Sequence, residues 1–184
     1  QPSFYEIAIE TGTDKVTLHT YQDMYERYLS PKRNRKIRLL EIGLGCWLGY
    51  GLGSAYHTWT EYFSSLKEIY FIEKDVECAD RLSRELSDAT IVTGDPGDEA
   101  FLAGFLLEHN TKFDIIIVSG GHSVVQQMES LRTLWKAVKP GGVFFCEYLE
   151  TSYMENYGGK GKIRSTTKGK SMIQFLQDIS QDMM

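Results

Sequence analysis

The sequence predicts an α/β protein built on an open, doubly wound sheet of five parallel strands. Three observations carry that prediction. An apolar run, Ile37 to Ile42, stops at a loop with glycines at 43, 45, 49, 51 and 53. A strand that ends in a glycine-rich turn before a helix is how an open sheet makes a ligand crevice. Four further apolar runs follow, separated by segments of helical period, which is the pattern of β-then-α units. Phe113 to Val118 is apolar apart from Asp114, as a parallel strand buried on both faces should be. Right-handed crossovers then set the hand of each unit.

Phe4 to Ile9 is a short apolar-periodic piece ended by Thr11-Gly12-Thr13-Asp14. His19 to Leu29 is a stronger helix, with Tyr21, Met24, Tyr25 and Tyr28 on one stripe and Pro31 as its stop. Together these pieces are expected to cap the crevice mouth. Ser54 is placed to cap the helix after the glycine loop, whose Tyr56, Trp59, Tyr62 and Phe63 face the sheet. Glu68 to Ile72 is the second strand, Val76 to Leu86 its helix, and Ala89 to Thr93 the third strand. A helix with Phe101, Leu102, Phe105 and Leu106 inward precedes the fourth strand, Phe113 to Val118. Ser119-Gly120-Gly121-His122 breaks that strand, a helix runs to Val138, and Pro140-Gly141-Gly142 turns into a fifth strand, Val143 to Cys146. Residues 148–170 are polar and basic, too long for a connector, and are expected to form a lid or flexible arm. Residues 171–182 form a last helix with Met172, Phe175, Leu176 and Ile179 as its apolar face. The 184 residues fit one domain, with 1–30 as cap and 37–147 as ligand-binding core.

The composition narrows the function classes. A net charge of −5 argues against a nucleic-acid partner. Basic clusters at 32–38 and 160–170 lack interleaved aromatics for base stacking and read as solvated edges. No apolar run reaches membrane-spanning length and no secretory signal is visible. Cys46, Cys78 and Cys146 are isolated and form neither metal-ligand spacing nor an even disulfide set. A reducing, cytoplasmic setting is therefore expected. Because the chain starts at Gln1 rather than Met, trimming of an amino-terminal segment is expected.

In a doubly wound sheet the chemistry collects at the carboxyl ends of the strands. Those ends carry Glu41, Gly43 and Gly45, then Glu73, Asp95, Ser119 with His122, and Glu147. Glu41 would repel a pyrophosphate but welcome an ammonium, such as the one on the amino-acid end of S-adenosylmethionine (SAM). Glu73 suits a ribose diol, since a carboxylate accepts from both hydroxyls. Asp95 suits an adenine amino group. Each acid alone commonly just caps the next helix; their succession at adjacent strand ends is the stronger signal. His122 either takes a hydroxyl proton, for which an ordinary pKa near 6.5 is suited, or merely hydrogen-bonds its own loop. His57 sits on the core-facing helix and reads as structural, whereas His19 and Tyr21 are placed to touch a ligand. Asp114 lies at the wrong end of its strand for catalysis.

Seven segments carry a resemblance: GTDK at 12–15, LLEIGLG at 39–45, GSAYHTW at 53–59, GDPGDEAFL at 94–102, FDIII at 113–117, KPGGVFF at 139–145 and TSYMENYGG at 151–159. Through them the chain resembles class I SAM-dependent methyltransferases, in particular sugar O-methyltransferases of the mycinamicin and demethylmacrocin type. The resemblance implies a Rossmann-like methyltransferase sheet. It places Glu41, Gly43 and Gly45 on the methionine end of SAM, Glu73 on the ribose and Asp95 on the adenine, with Ser119 also on the cofactor side. It puts His122 at the general-base position. The family's DDGSH is Val118-Ser119-Gly120-Gly121-His122 here, and its EDL is Glu147-Tyr148-Leu149. Magnesium prefers carboxylate and other hard oxygens, so the loss of two carboxylates argues against a magnesium site and no metal ligand is assigned.

The first functional expectation is O-methylation of a small natural product or sugar without strict need of metal. His122 would act as base, Glu147 and Tyr148 would contact the acceptor, and residues 148–164 would close over it. The second is a repurposed fold that catalyses a cyclisation or elimination, or serves as a non-catalytic partner. A nicotinamide oxidoreductase is disfavoured by Glu41 and by a third glycine at 49 rather than 48. No sixth or seventh strand of the methyltransferase sheet is evident after Gln181. An exposed fifth-strand edge invites pairing, so a homodimer is expected, with the last helix at that edge or at the dimer contact.

Overall fold

The computed structural model describes residues 1–46, 51–159 and 170–182. Five parallel strands form one sheet in the order β3-β2-β1-β4-β5. They are β1 (Ile37–Ile42), β2 (Leu66–Glu73), β3 (Ala89–Thr93), β4 (Phe113–Val118) and β5 (Val138–Cys146). The helices are α1 (Phe4–Thr11), α2 (Asp14–Thr17), α3 (Gln22–Leu29), α4 (Ser54–Tyr62), α5 (Val76–Glu85), α6 (Glu99–His109), α7 (Val124–Leu134) and α8 (Met172–Asp182). The chain winds outward from β1 to β3, then crosses back to place β4 on the other side of β1. The crevice of such a sheet opens at the carboxyl ends of β1 and β4, where the winding reverses.

Side chains on a strand alternate between faces, and here that period sorts the core into two layers. Ile37 and Leu39 of β1, Ile115 and Ile117 of β4, and Phe145 of β5 pack with Phe4, Tyr25, Trp59, Tyr62 and Leu82. Leu40, Ile42, Ile116 and Val118 point the other way, onto Leu102, Phe105 and Leu134. Glu41 and Glu147 continue the parity of Leu39 and Phe145. Both carboxylates therefore enter the face covered by the amino-terminal helices.

Several sequence expectations change. The amino-terminal helices are continuous with the core, since Phe4, Ile7, Tyr25 and Leu29 are buried within the first core layer. The expected helix from His19 begins at Gln22, after the short α2. Gly53, with φ 76°, is the N-cap of α4, and Ser54 is its first residue rather than its cap. Trp59, Tyr62 and Phe63 are buried as expected, but His57 is exposed, not core-facing. The helix expected to reach Val138 ends as α7 at Leu134, followed by a 3-10 turn over Trp135–Ala137. β5 begins at Val138 rather than Val143. Phe113 pairs with Val138 but Ile115 with Val143, so Pro140-Gly141-Gly142 is a bulge within the strand. The expectation of isolated cysteines is corrected as well. Cys46 and Cys78 form a disulfide, leaving Cys146 free, so the cysteines no longer argue for a reducing setting.

The part of the expected lid that is described, 148–159, forms two 3-10 turns, Leu149–Tyr153 and Glu155–Tyr157. Residues 160–169, with most of the second basic cluster, lie outside the described residues. In the first cluster Arg33 is buried, its guanidinium on the carbonyls of Tyr62 and Pro2, and Arg38 pairs with Glu68. Ile173 N–H donates to Ser152 Oγ and Phe175 lies under Arg132 of α7. These contacts set α8 against α7 and the 149–153 turn. Among the described residues no helix is long and apolar enough to cross a membrane.

Candidate active site

A cleft of about 290 Å³ opens at the carboxyl ends of β1, β2 and β4. Its walls include Gly43, Glu73, Lys74, His122, Gln126 and Tyr157. The floor is made by backbone in close approach. A Cβ on Gly43, whose φ is 102°, would lie 2.7 Å from Gly120 Cα. Gly43 is thus required by the neighbouring strand end, beyond any ligand it meets.

Glu73 lies on the cleft wall and is pinned by backbone. Its Oε1 accepts from Lys74 N–H (2.8 Å) and Asp75 N–H (3.0 Å), and its Oε2 from Leu44 N–H (2.9 Å). Oε2 keeps capacity for one further donor, so the geometry suits one ribose hydroxyl rather than the expected pair. Asp95 is set one step behind the wall. Its carboxylate takes Lys74 Nζ, Gly97 N–H (2.8 Å) and Gln126 Nε2 (3.0 Å). Burial would raise its pKa, but these donors override it and hold the group below the usual range. Asp95 thereby orients Lys74 and Gln126, two cleft residues not singled out from the sequence: Lys74 directly follows β2, and Gln126 lies within α7, away from the strand ends.

Glu41 differs most from expectation. It is fully buried and its oxygens are engaged: Oε1 by Lys15 Nζ (2.8 Å) and Ser119 Oγ, Oε2 by Trp59 Nε1. The expected contact with a ligand ammonium is made instead by Lys15. Ser119, expected on the cofactor, directs its hydroxyl to Glu41 and to the Ile42 carbonyl. Glu147, expected to meet an acceptor, is 2 % exposed and takes Lys15 Nζ at 3.0 and 3.1 Å together with the Tyr25 hydroxyl. One cation therefore stands between two buried carboxylates. Burial favours the neutral form of Lys15, but Glu147 and then Glu41 outweigh it and keep the ammonium charged. Burial pushes Glu147 up to about 7, against the pull of Lys15 and with the help of Glu41. A small cavity of about 20 Å³ beside this cluster is lined by Asp14, Lys15, Glu41, Gly43, Gly45 and Ser119, among others. It is where Gly45, φ 74°, borders the site.

His122 faces the cleft, its Nε2 3.3 Å from the Ser119 carbonyl. Burial lowers its pKa below the ordinary 6.5, which favours the neutral, proton-accepting imidazole. Tyr148 is buried with its ring 4.2 Å from the imidazole, while its hydroxyl donates to Asp14. His19 stacks on Tyr21 at 4.8 Å and sets its edge to Tyr148 at 4.6 Å. Asp114, at the far end of β4, holds Arg38 N–H and Lys139. The structure thus brings Gly43, Glu73 and His122 into one cleft. Asp95 and Tyr148 stand behind it, Glu41 and Ser119 line the smaller cavity beside it, and Glu147 is buried. The signal that could have exposed Lys15 was the pair of lone glutamates at apolar strand ends, since buried acids need a partner.

No protein-family model matches the chain. It is 30% identical over 162 residues to 8-demethyl-8-alpha-L-rhamnosyl tetracenomycin-C 2'-O-methyltransferase of Streptomyces olivaceus, covering 86% of this chain and 40% of that protein. It is 32% identical over 170 residues to demethylmacrocin O-methyltransferase of Streptomyces fradiae, covering 88% and 41%. The chain thus spans less than half the length of these curated relatives. Among solved structures, the MycE methyltransferase of the mycinamycin pathway, in complex with Mg, SAH and mycinamycin VI, matches with a TM-score of 0.83 at 25% identity. That match covers 98% of this chain and 48% of MycE. The chain is a homologue of sugar O-methyltransferases and has the Rossmann-like methyltransferase fold.

Proposed function

We propose that this homologue of the sugar O-methyltransferases binds SAM and transfers its methyl group to a hydroxyl of a small natural product or sugar. The observation that carries this reading is the meeting of Glu73 and His122 in one cleft at the reversal of the sheet. The names of the relatives support it, all of those above being O-methyltransferases or methyltransferases. They lend no support to a repurposed, non-methylating chain.

Bound SAM supplies an electrophilic methyl group on a sulfonium, so the protein's work is mainly alignment and removal of one proton. Glu73 Oε2 holds a ribose hydroxyl, while Gln126 and Lys74, set by Asp95, line the nucleoside. Lys15, Gly43 and Gly45 border the amino-acid end. His122 would accept the proton of the acceptor hydroxyl as the methyl–oxygen bond forms and the methyl–sulfur bond breaks, the electron pair staying on sulfur as the thioether of S-adenosylhomocysteine, and its lowered pKa keeps it neutral for that step.

MycE was solved with magnesium, but the residues here do not fit that ion. Ser119 and Tyr148 offer no carboxylate, and both oxygens of Glu147 face the Lys15 ammonium. Among the described residues no group of three or more acidic, His or Cys side chains could hold a metal.

Incubation with methyl-labelled SAM and hydroxylated glycosides, with and without EDTA, tests the reading. Label transfer is expected in both arms, and His122→Ala should lower turnover by about 10²–10⁴-fold. Unchanged turnover in that variant would remove His122 from the mechanism. The homodimer expectation rests on the outer edge of β5, which pairs with no strand among the described residues; a monomer by light scattering at micromolar concentration counts against it.

A further inference from the structure

Among the described residues, two that are not glycine adopt positive φ: Asn110 and Tyr148. Asn110 closes α6, an ordinary place for asparagine. Tyr148, at φ 57° and ψ 35°, has no such explanation, and a bulky aromatic is disfavoured there. Strained backbone persists only where its surroundings over-determine it, and such places concentrate at functional sites.

The surroundings of Tyr148 do over-determine it. Its N–H donates to the Tyr21 hydroxyl oxygen at 3.2 Å, and its carbonyl accepts from Gln127 Nε2 at 3.3 Å and Thr151 Oγ1 at 2.8 Å. Its hydroxyl donates to Asp14. Four segments of the chain thus hold one residue, three through its backbone and Asp14 through its side chain. The consequence is a ring placed 4.2 Å from the His122 imidazole at an interplanar angle of 37°. His19 also packs edge-on against the Tyr148 ring, at 4.6 Å and an interplanar angle of 81°.

We propose that Tyr148, anchored by Asp14, is the positioning residue that sets the ring plane of His122 in the cleft. This inference rests on the reading of His122 as the base, and it assigns a purpose to Asp14, which the cleft chemistry alone leaves without one. Asp14 acts at one remove: it holds the phenol, the phenol holds the imidazole, and the imidazole meets the acceptor hydroxyl. A displacement of about 1 Å in such a group costs about 100-fold in rate, whereas SAM, held by other residues, should bind as before.

The test compares Tyr148→Leu, Tyr148→Phe and Asp14→Asn with the wild-type chain. Two readouts are taken: the His122 ring resonances by NMR, which need no substrate, and the kcat and KM of methyl transfer. In Tyr148→Leu the ring-current shift on the His122 protons should vanish and kcat fall by about 10- to 100-fold, with KM for SAM unchanged. Tyr148→Phe keeps the ring but loses the Asp14 anchor, so its shift and kcat should fall between those of Tyr148→Leu and the parent chain. Asp14→Asn should weaken both partially. Unmoved His122 resonances in Tyr148→Leu overturn the proposal, as does a loss that falls on KM for SAM alone. Should Tyr148→Leu fail to fold, Asp14→Asn decides, with unmoved resonances and unmoved kcat as the overturning result. The resonances report placement even if no methyl transfer is detected, so failure of the methylation reading remains distinguishable from failure of this one.

Discussion

At the scale of single residues, the cluster of Lys15, Glu41 and Glu147 makes the sharpest demands. Removing the cation from a buried ion pair leaves charge without a partner, which typically costs about 3–5 kcal/mol. Lys15→Met should therefore destabilise the fold by about that amount in urea denaturation, and a loss below about 1 kcal/mol would contradict the pairing of Lys15 with the buried carboxylate of Glu41. Glu147 adds a pH dependence of definite sign. Its folded pKa is raised from 4.5 to about 7, so the folded chain holds a proton that the unfolded chain releases. Stability from this group is full below pH 4.5 and is lost as pH rises to about 7. Glu147→Gln should flatten that part of the stability–pH curve; an identical slope would show that Glu147 does not titrate there. His122 runs the other way. Its folded pKa is lowered, so its contribution to stability is present above 6.5 and declines as pH falls below it. The neutral imidazole persists to lower pH than a free one, and the acid limb of kcat/KM should fall below pH 6.5. A limb at or above that value would exclude His122 as the titrating base. None of the Lys15 cluster was legible as a cluster. Sequence shows two glutamates at strand ends, and parity shows them sharing a face, but nothing local says that a lysine from α2 reaches both.

At the scale of elements, what was legible followed from short-range pattern. β3 and β4 fall where the apolar runs placed them, because continuous apolar segments bounded by turns leave little choice. The failures lie where tertiary contact overrides local chemistry. Ser54 is a good capping residue, yet the backbone turns at Gly53, whose left-handed conformation a serine would resist. The Pro140-Gly141-Gly142 turn looked like a strand boundary but is absorbed as a bulge because β4 keeps pairing on both sides of it. The Cys46–Cys78 disulfide joins the glycine loop to α5 across a separation of 32 residues, a distance that no local pattern reports. Closing a loop of that length stabilises by about 3–4 kcal/mol in the chain-entropy picture. Reduction should lower Tm by roughly 10 °C, with the Cys46→Ser/Cys78→Ser double variant insensitive to reductant. Burial pushes the Cys146 thiol up to about 12, so it should not confuse the result. Equal Tm with and without reductant would show that the bridge does not form in solution. Gly43 and Gly120 make a second element-scale claim, because their backbones touch where β1 and β4 end. Gly43→Ala should cost about 2 kcal/mol or more from strain and crowding, read by denaturant midpoint.

At the scale of the molecule, the sheet and its two helix layers form a platform in which strand order sets the position of the cleft lined by Gly43, Glu73 and His122. β1 lies between β2 and β4, and the chain leaves β1 and β4 in opposite directions, so their carboxyl ends cannot be covered by the same crossover. The amino-terminal helices, being part of the core, bring Asp14, Lys15 and His19 to this opening. A ligand bound there contacts β1, β2, β4 and the segment after β5 together, so binding should stabilise the whole fold cooperatively. For a ligand at about 100 times its Kd the linkage is about 2.7 kcal/mol, which for a chain of this size raises Tm by about 5–10 °C. S-adenosylhomocysteine, the demethylated product of SAM, is the probe to use, since it needs no acceptor and cannot turn over. Glu73→Ala removes a cleft wall but should leave the two core layers intact. It should abolish most of the shift while its own Tm stays close to that of the parent chain. Tyr56→Ala, on a groove at the opposite end of β2, should leave the shift unchanged. No shift in the parent chain, or a shift lost with Tyr56 and kept without Glu73, would place the nucleoside site elsewhere or nowhere on this sheet.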